Sequence, residues 1–322
     1  MAGEAWRVAR VETMSIYGDQ PPARLEFSAY ESGLRELAWI VENSWLQNAL
    51  WSALRSSGRA ELFCPARCAA LAWNKEAARL TLADGRTLIA QLVVGADGAE
   101  SWVRECAGLS STSHDYSQTG VVANFACERP HRGAALQWFR ADGVLALLPL
   151  PGNCVSMVWS APDQRARELL SAPPDTLARE VEAASGLALG KLEVTTAAAG
   201  FPLRRQRVAR LIGRRTALIG DAAHNVHPLA GQGVNLGFRD ARELAAVVEA
   251  RGPQSDCGDH HLLRRYERAR REDIAALELM TDGLEKLFAS RAVWLAGLRN
   301  FGLSLVDSQL PLKNLLIRHA AA

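Results

Sequence analysis

The sequence predicts an α/β (α+β) fold: a β-sheet block is set into a chain that ends in helices. Three observations lead there. Two apolar segments, residues 92–96 and 217–220, each run directly into an acidic residue and then into a helix start. Between them, residues 116–160 read as three or four strands punctuated by Ala141-Asp142-Gly143 and Pro151-Gly152-Asn153. From Val234 onward the apolar spacing is almost wholly helical. Strands mixed with helices and then a helical tail fit a layered sheet-and-helix domain.

Taken in order, residues 4–30 are extended, with partial alternation in RVARVETMSIYGD and a turn at GDQPP. Residues 43–57 carry apolar side chains at 45, 46, 49, 50, 53 and 54, which is helical spacing; Asn43 or Ser44 is the expected N-cap and Gly58 the stop. Short strands follow at ELFC, CAALAW, ARLTLAD and QLVVGAD, with Asp84-Gly85 as a hairpin turn between two of them. In the sheet block the strands are GVVANFACE, AALQWFR, VLALLPL and VSMVWSA. Residues 163–186 are helical, 192–205 return to strand, and 216–219 form a short apolar strand.

With 322 residues, 48% apolar and 22% charged, the chain is long enough for one large or two medium domains with a real core. A net charge of +2 gives no argument for nucleic acid as a partner. The opening MAGEAWRVARV has no apolar signal-peptide core. The expected location is therefore a reducing cytoplasm, with the six cysteines as free thiols. Cys64 and Cys68 form a C-x3-C pair with no second pair nearby, so they read as two small buried strand residues rather than as zinc ligands.

The segment ALIGDAAHNVHPLAGQGVNLGFRD, residues 217–240, carries the strongest chemical signal. A buried strand ends at Asp221, and a Gly-rich loop leads to a helix starting near Gly233. Open α/β sheets place ligands at strand carboxyl ends, and a carboxylate there accepts hydrogen bonds from sugar-type hydroxyls. The helix start offers unpaired N–H groups and partial positive charge, which favour an anion or an electron-rich ring edge. Gly231 and Gly233 allow close backbone approach to a flat ring, and Pro228 fixes the loop. The plainer alternative is a strand–loop–helix junction whose glycines serve packing. A metal site through His224 and His227 lacks a further ligand at suitable spacing; either histidine reads as a hydrogen-bonded loop residue. The segment LVVGADGAESWVR, residues 92–104, repeats the design with Asp97-Gly98, Ser101 and Arg104, and is weaker alone because Asp-Gly turns are common.

Together the two segments resemble the ubiquinone-biosynthesis hydroxylases, a branch of the flavoprotein aromatic hydroxylases that includes p-hydroxybenzoate hydroxylase. GADGAESWVR is similar to that family's DG motif, IGDAAHNVHPLAGQGVNLGFRD to its GD motif, and HPLAGQGVNLGFRD to the narrower ubiquinone-branch signature. FSAYESGLRELAWIVENSWLQNALW, YERARREDIAALELMTDGLEKLF and LPLKNLLIRHA also look like that branch, so the resemblance covers essentially the whole chain.

The resemblance implies FAD as cofactor and NAD(P)H as reductant, with O2 and a polyprenylated phenol as the other substrates. The flavin carries the chemistry, so no catalytic side chain is implied. Asp221 would hold the ribityl chain. Pro228, Gly231, Gln232, Gly233, Val234 and Asn235 would face the flavin. Asp97 and Gly98 would lie near the pyrophosphate and the nicotinamide route, and Arg104 would support that loop. The alternative reading of Arg104 is a surface helix arginine. The implied domains are a discontinuous FAD-binding domain at 1–110 and 201–260, a β-sheet substrate domain at 111–200, and a helical region at 261–322. No GxGxxG occurs, so the family's first strand–loop–helix unit is expected to be missing, as a fragment or as a paralogue that lost it. That leaves a second reading, a non-catalytic subunit of a quinone-biosynthesis assembly, and a weaker third, a flavin hydroxylase of a soluble aromatic.

Six arginines fall between 204 and 215. A solvated hairpin is the ordinary reading; attraction to anionic lipid, NADPH phosphate or an acidic partner is the functional one. Residues 310–318 mix Leu and Ile with Lys313 and Arg318, which suits either a packing helix or contact with a membrane surface. The expected location thus extends to the periphery of the inner membrane.

Overall fold

The computed structural model describes residues 7–18, 24–225, 233–252 and 254–289. The first third contains β1 (Val8–Val11), β2 (Thr13–Tyr17), β3 (Arg24–Ser28), β4 (Ala38–Val41), α1 (Asn43–Ser57), β5 (Cys68–Trp73), β6 (Ala78–Leu82), β7 (Thr87–Ala90), β8 (Val93–Gly95) and α2 (Trp102–Cys106). The middle contains β9 (Ser111–Cys127), β10 (Ala134–Arg140), β11 (Gly143–Leu150), β12 (Cys154–Pro162), α3 (Asp163–Ser171), α4 (Pro174–Ala184) and β13 (Leu192–Val194). The last part contains β14 (Ala199–Val208), β15 (Ile212–Gly213), β16 (Thr216–Leu218), a 3-10 turn (Gly220–Ala222), β17 (His224–Asn225), α5 (Gly233–Glu249) and α6 (His260–Ala289).

The chain divides into two compact units, one of residues 1–60, 117–203 and 286–322, the other of residues 61–116 and 204–285. This differs from the division expected from sequence in two ways. Residues up to 60 fall with the sheet block rather than with the flavin motifs, because β2 pairs in parallel with β10, Thr13 opposite Ala134 through Tyr17 opposite Trp138. Most of α6 joins the flavin-motif unit instead of forming a separate tail, because Leu263 and Tyr266 are fully buried in that unit's core.

In the first unit the strands run β9-β12-β11-β10-β2-β3, antiparallel except for β2–β10, with β13 on the other side of β9. Strand alternation puts Val121, Ala123, Phe125, Leu145, Leu147, Val155, Met157 and Trp159 on one face, where they meet Leu169, Leu177 and Val181 of α3 and α4 in a single core. The helical stretch predicted over 163–186 is broken at Pro173-Pro174, because a proline disfavours helix in the residue before it. A ribbon of β1 and β4 lies near β11. Helix α1 has the predicted span and stops at Gly58 in the left-handed region (φ 62°), but its N-cap is Glu42 rather than Asn43 or Ser44.

In the second unit, β5-β6-β7 form an antiparallel sheet and β15-β16-β8 a mixed one. The Asp84-Gly85 turn joins β6 to β7, a strand additional to those expected, rather than to QLVVGAD. ELFC is not a strand: it makes no ladder, and Pro65, which lacks an N–H donor, follows it. Cys64 and Cys68 are free and exposed, not buried. Of the six arginines, Arg204, Arg207, Arg210 and Arg214 are exposed, whereas Arg215 is buried and binds the carbonyls of Lys75 and Gln91 and the carboxylate of Asp256.

Candidate functional site

The two motifs stand on neighbouring strands. β16 pairs in parallel with β8, Thr216 opposite Val93 and Leu218 opposite Gly95, and the Ile219 N–H donates to Gly95 O at 3.0 Å. Asp97 and Asp221 therefore leave the same, carboxyl end of a parallel pair, which is where open α/β sheets gather ligand-binding loops. Gly95 has no room for a side chain: a Cβ there would lie 2.7 Å from a methyl of Leu218.

After β8 the chain turns at Gly98, whose φ of +86° suits glycine. The exposed Asp97 accepts from the Val103 N–H at 3.0 Å and Ser101 Oγ accepts from the Arg104 N–H at 3.0 Å, so both side chains cap α2. Arg104 is buried, not a surface arginine. Its guanidinium donates to Ala222 O at 3.0 Å and to Ala99 O at 2.9 Å, stitching the DG segment to the GD turn.

After β16 the backbone folds into the 3-10 turn with Gly220 left-handed at φ +59°. Asp221 is exposed on this turn and makes no side-chain hydrogen bond among the described residues. Behind it lies a fully buried cluster centred on Asp240 of α5. Its Oδ2 accepts from the Gly220 N–H at 2.9 Å and from His224 Nε2 at 2.6 Å, and its Oδ1 accepts from Arg270 Nε of α6 at 2.7 Å. Burial alone would push the Asp240 carboxyl up, but the hydrogen bonds and charges of His224 and Arg270 and the Gly220 N–H hold it below the usual carboxylate range. Tyr266 Oη donates to Leu218 O at 2.7 Å, and burial raises its phenol far above the ordinary value. Helix α5 passes close to the turn: a Cβ on Gly237 would meet Gly220 Cα at 3.2 Å.

Of the residues expected to bind the cofactor, Asp97, Gly98, Arg104, Asp221, Gly233, Val234 and Asn235 are placed here, and Pro228, Gly231 and Gln232 lie outside the described residues, as does His227. Gly233 begins α5, nothing among the described residues lies within 4 Å of where its Cβ would stand, and Val234 is 58% exposed. Sequence reasoning passed over Asp240, Arg270, Tyr266 and Gly237. The Gly233–Gly237 spacing, one helical turn, was the available signal for close packing at Gly237.

These residues fit an FAD. Asp221 offers an exposed, unengaged carboxylate on a turn fixed from behind. The first turn of α5 carries no acid that would repel the electron-rich edge of a flavin, and its first residue is open.

A family model described as an FAD binding domain matches residues 7–280. The chain belongs to this FAD-binding family. Within the family it belongs with the ubiquinone-biosynthesis hydroxylases. It is 39% identical to the ubiquinone hydroxylase UbiL of Rhodospirillum rubrum over 285 residues, 88% of this chain and 66% of the relative. It is 36% identical to the 3-demethoxyubiquinol 3-hydroxylase of Escherichia coli K12 over 300 residues, 92% of this chain and 76% of the relative. The chain thus spans 66% of the length of the first relative and 76% of the second. PqsL of Pseudomonas aeruginosa, solved in complex with 2-aminobenzoylacetate, superposes with a TM-score of 0.75 at 25% identity, covering 90% of this chain and 80% of that one. The family's FAD-dependent aromatic-hydroxylase fold is therefore the fold of this chain.

Proposed function

We propose that this protein hydroxylates the aromatic ring of a polyprenylated phenol in ubiquinone biosynthesis, as an FAD-dependent monooxygenase using NAD(P)H and O2. The supporting observation is the convergence of the DG and GD motifs at one end of the β8–β16 pair, in a chain of this family. In the overall reaction, NAD(P)H, a proton, O2 and the ring yield NAD(P)+, water and the phenol with one ring C–H replaced by C–OH. FAD, when bound, passes the reducing electrons to O2 and delivers one oxygen atom to the ring.

The chain's own part is binding, orientation and exclusion of water. The Asp221 carboxylate accepts hydrogen bonds from ribityl hydroxyls, which its exposure and freedom allow. The open backbone at Gly233 and the N–H groups of the first turn of α5 face the flavin's pyrimidine edge and stabilise negative charge there. Asp97 and Gly98 border the pyrophosphate and the nicotinamide route, and Arg104 holds that loop against the GD turn.

Among the described residues no helix is long and apolar enough to cross a membrane. A greasy substrate is then reached from the cytoplasm by surface contact with the inner membrane or within a quinone-biosynthesis complex. The exposed Arg204, Arg207, Arg210 and Arg214 supply the positive surface that an anionic lipid attracts.

The test is aerobic incubation of the FAD-loaded protein with NAD(P)H and a prenylated phenol. Phenol-stimulated NAD(P)H oxidation, with a product one oxygen atom heavier, is the expected result. Oxidation that ignores the phenol, with no oxygenated product, would refute the assignment.

A further inference from the structure

The second unit holds a cleft of about 570 Å³ at the amino end of β16, whereas Asp221 follows that strand's carboxyl end. Small-molecule pockets fall in this size range, roughly 300–1,000 Å³. One wall is the segment 107–110 that leaves α2, and the other is the segment 209–214 around β15. The Ala209 N–H donates to Ser110 O at 3.1 Å and ties the two walls together. His260, at the start of α6, lines a third side. The Leu211 N–H donates to Glu267 Oε1 at 3.0 Å, which holds α6 against the second wall. The cleft is thus framed by regular elements fixed to one another.

Its lining is apolar and basic, with no acidic residue. Ile212 is buried and Leu109 half-buried, and both offer carbon surface. Arg210 and Arg214 are exposed and carry neither an ion pair nor a side-chain hydrogen bond among the described residues. Arg215, next in the chain, is the contrast: its guanidinium is buried on Lys75 O, Gln91 O and the Asp256 carboxylate. The nearest acid in sequence to His260 is Asp259, whose Oδ1 accepts from the His261 and Leu262 N–H groups and so caps α6. The helix end is therefore already satisfied, and the cleft's pull on an anion comes from its arginines. A cleft lined by charge of one sign concentrates the opposite ion.

We propose that this cleft binds a phosphate monoester carrying an apolar group. Arginine forks match phosphate oxygens in bidentate pairs. A monoester offers three acceptor oxygens and a charge of about −1.5 to −2 near neutral pH, which suits two unpaired guanidiniums. The His260 ring can add a donor, and the apolar group lies against Leu109 and Ile212. The site is independent of the hydroxylase reading and gives part of the arginine surface a defined ligand. That ligand has two sources, a lipid headgroup or a soluble ester.

The probe is hexyl phosphate, titrated calorimetrically into the FAD-loaded protein beside inorganic phosphate. Saturable single-site binding is expected, about tenfold tighter than inorganic phosphate, as two buried methylenes would give. Arg210→Gln and Arg214→Gln should each weaken it by about tenfold, with flavin content and melting temperature unchanged. Arg204→Gln, in the same run but outside the cleft, should bind as the wild type does. Co-sedimentation with phosphatidylcholine vesicles containing phosphatidic acid, or phosphatidylserine as the charge control, separates the sources. Retention by phosphatidic acid that hexyl phosphate competes away makes the ligand a lipid headgroup. Hexyl phosphate binding without such retention makes it a soluble ester. No saturable binding of hexyl phosphate, or equal affinity in the wild type and both cleft variants, overturns the site and leaves these arginines as diffuse surface charge.

Discussion

The Arg104 guanidinium donates to the Ala222 carbonyl at 3.0 Å, across a sequence separation of 118 residues. With its second bond to Ala99 O, this one side chain fixes the distance between the loop after β8 and the turn that carries Asp221. Replacing it leaves two carbonyls short of a charged donor. Arg104→Met is expected to cost about 1.5–3 kcal/mol in urea unfolding and to weaken FAD binding as the two loops drift apart. Arg104→Lys, with one ammonium in place of the fork, should recover part of the loss. Wild-type FAD affinity in Arg104→Met would detach this residue from the cofactor site.

Asp221 is the opposite case, exposed and bonded to nothing among the described residues. Asp221→Ala should leave the melting temperature of the FAD-free protein nearly unchanged. It should lower FAD affinity by about 10- to 150-fold, the worth of lost charge-assisted hydrogen bonds at roughly 1.5–3 kcal/mol. Flavin occupancy after gel filtration reads the effect directly, and unchanged occupancy would remove Asp221 from the ribityl contact.

Asp240 makes a prediction in pH. Its native carboxyl lies below the ordinary range, so its ionised form stabilises the fold above the unfolded-state value of about 4. That stability is lost as pH falls through the depressed native value. Asp240→Asn should cost about 3–5 kcal/mol near neutrality, because it breaks the buried Asp240–Arg270 pair and leaves Arg270 with only the exposed Asp273 as a counter-charge. The gap between wild type and variant should stay constant at higher pH and shrink below about pH 4. Urea unfolding across that range measures it, and a gap independent of pH down to acid unfolding would mean that Asp240 is not ionised in the native state.

How far the sequence revealed this site depends on whether the information is local. Asp221 after an apolar strand, and Asp97-Gly98 before a capping Ser101, are short-range signals, and the structure sets both on adjacent parallel strands. The four strands of residues 116–160 were legible because alternation marks a half-buried sheet. The cluster around Asp240 was not. Its partner Arg270 is 30 residues away on another helix, and only the packing of α6 brings the two together. Nothing local separates Arg270 from the exposed Arg268 or Arg271. The ELFC segment failed for a related reason: strand-like composition does not make a strand without a partner to complete its ladder, and Pro65 follows it.

Two glycines one helical turn apart on α5 should respond differently to the same substitution. At Gly237 a Cβ would sit 3.2 Å from Gly220 Cα, a backbone atom held by the Asp240 bond to the Gly220 N–H. Gly237→Val must therefore push α5 off the turn. Overpacking of this kind costs about 1–3 kcal/mol, so stability and FAD binding should fall together. At Gly233 nothing among the described residues lies within 4 Å of the added Cβ. Gly233→Val should leave the FAD-free fold close to wild type, apart from roughly 0.5–1 kcal/mol of local backbone preference. It should nevertheless lose hydroxylation, because the branched side chain occupies the space where the flavin edge approaches the backbone. Thermal melts of the FAD-free proteins, set beside flavin content and product yield, separate the two effects. A Gly233→Val protein with normal flavin content and full hydroxylation would show that the start of α5 does not meet the ring.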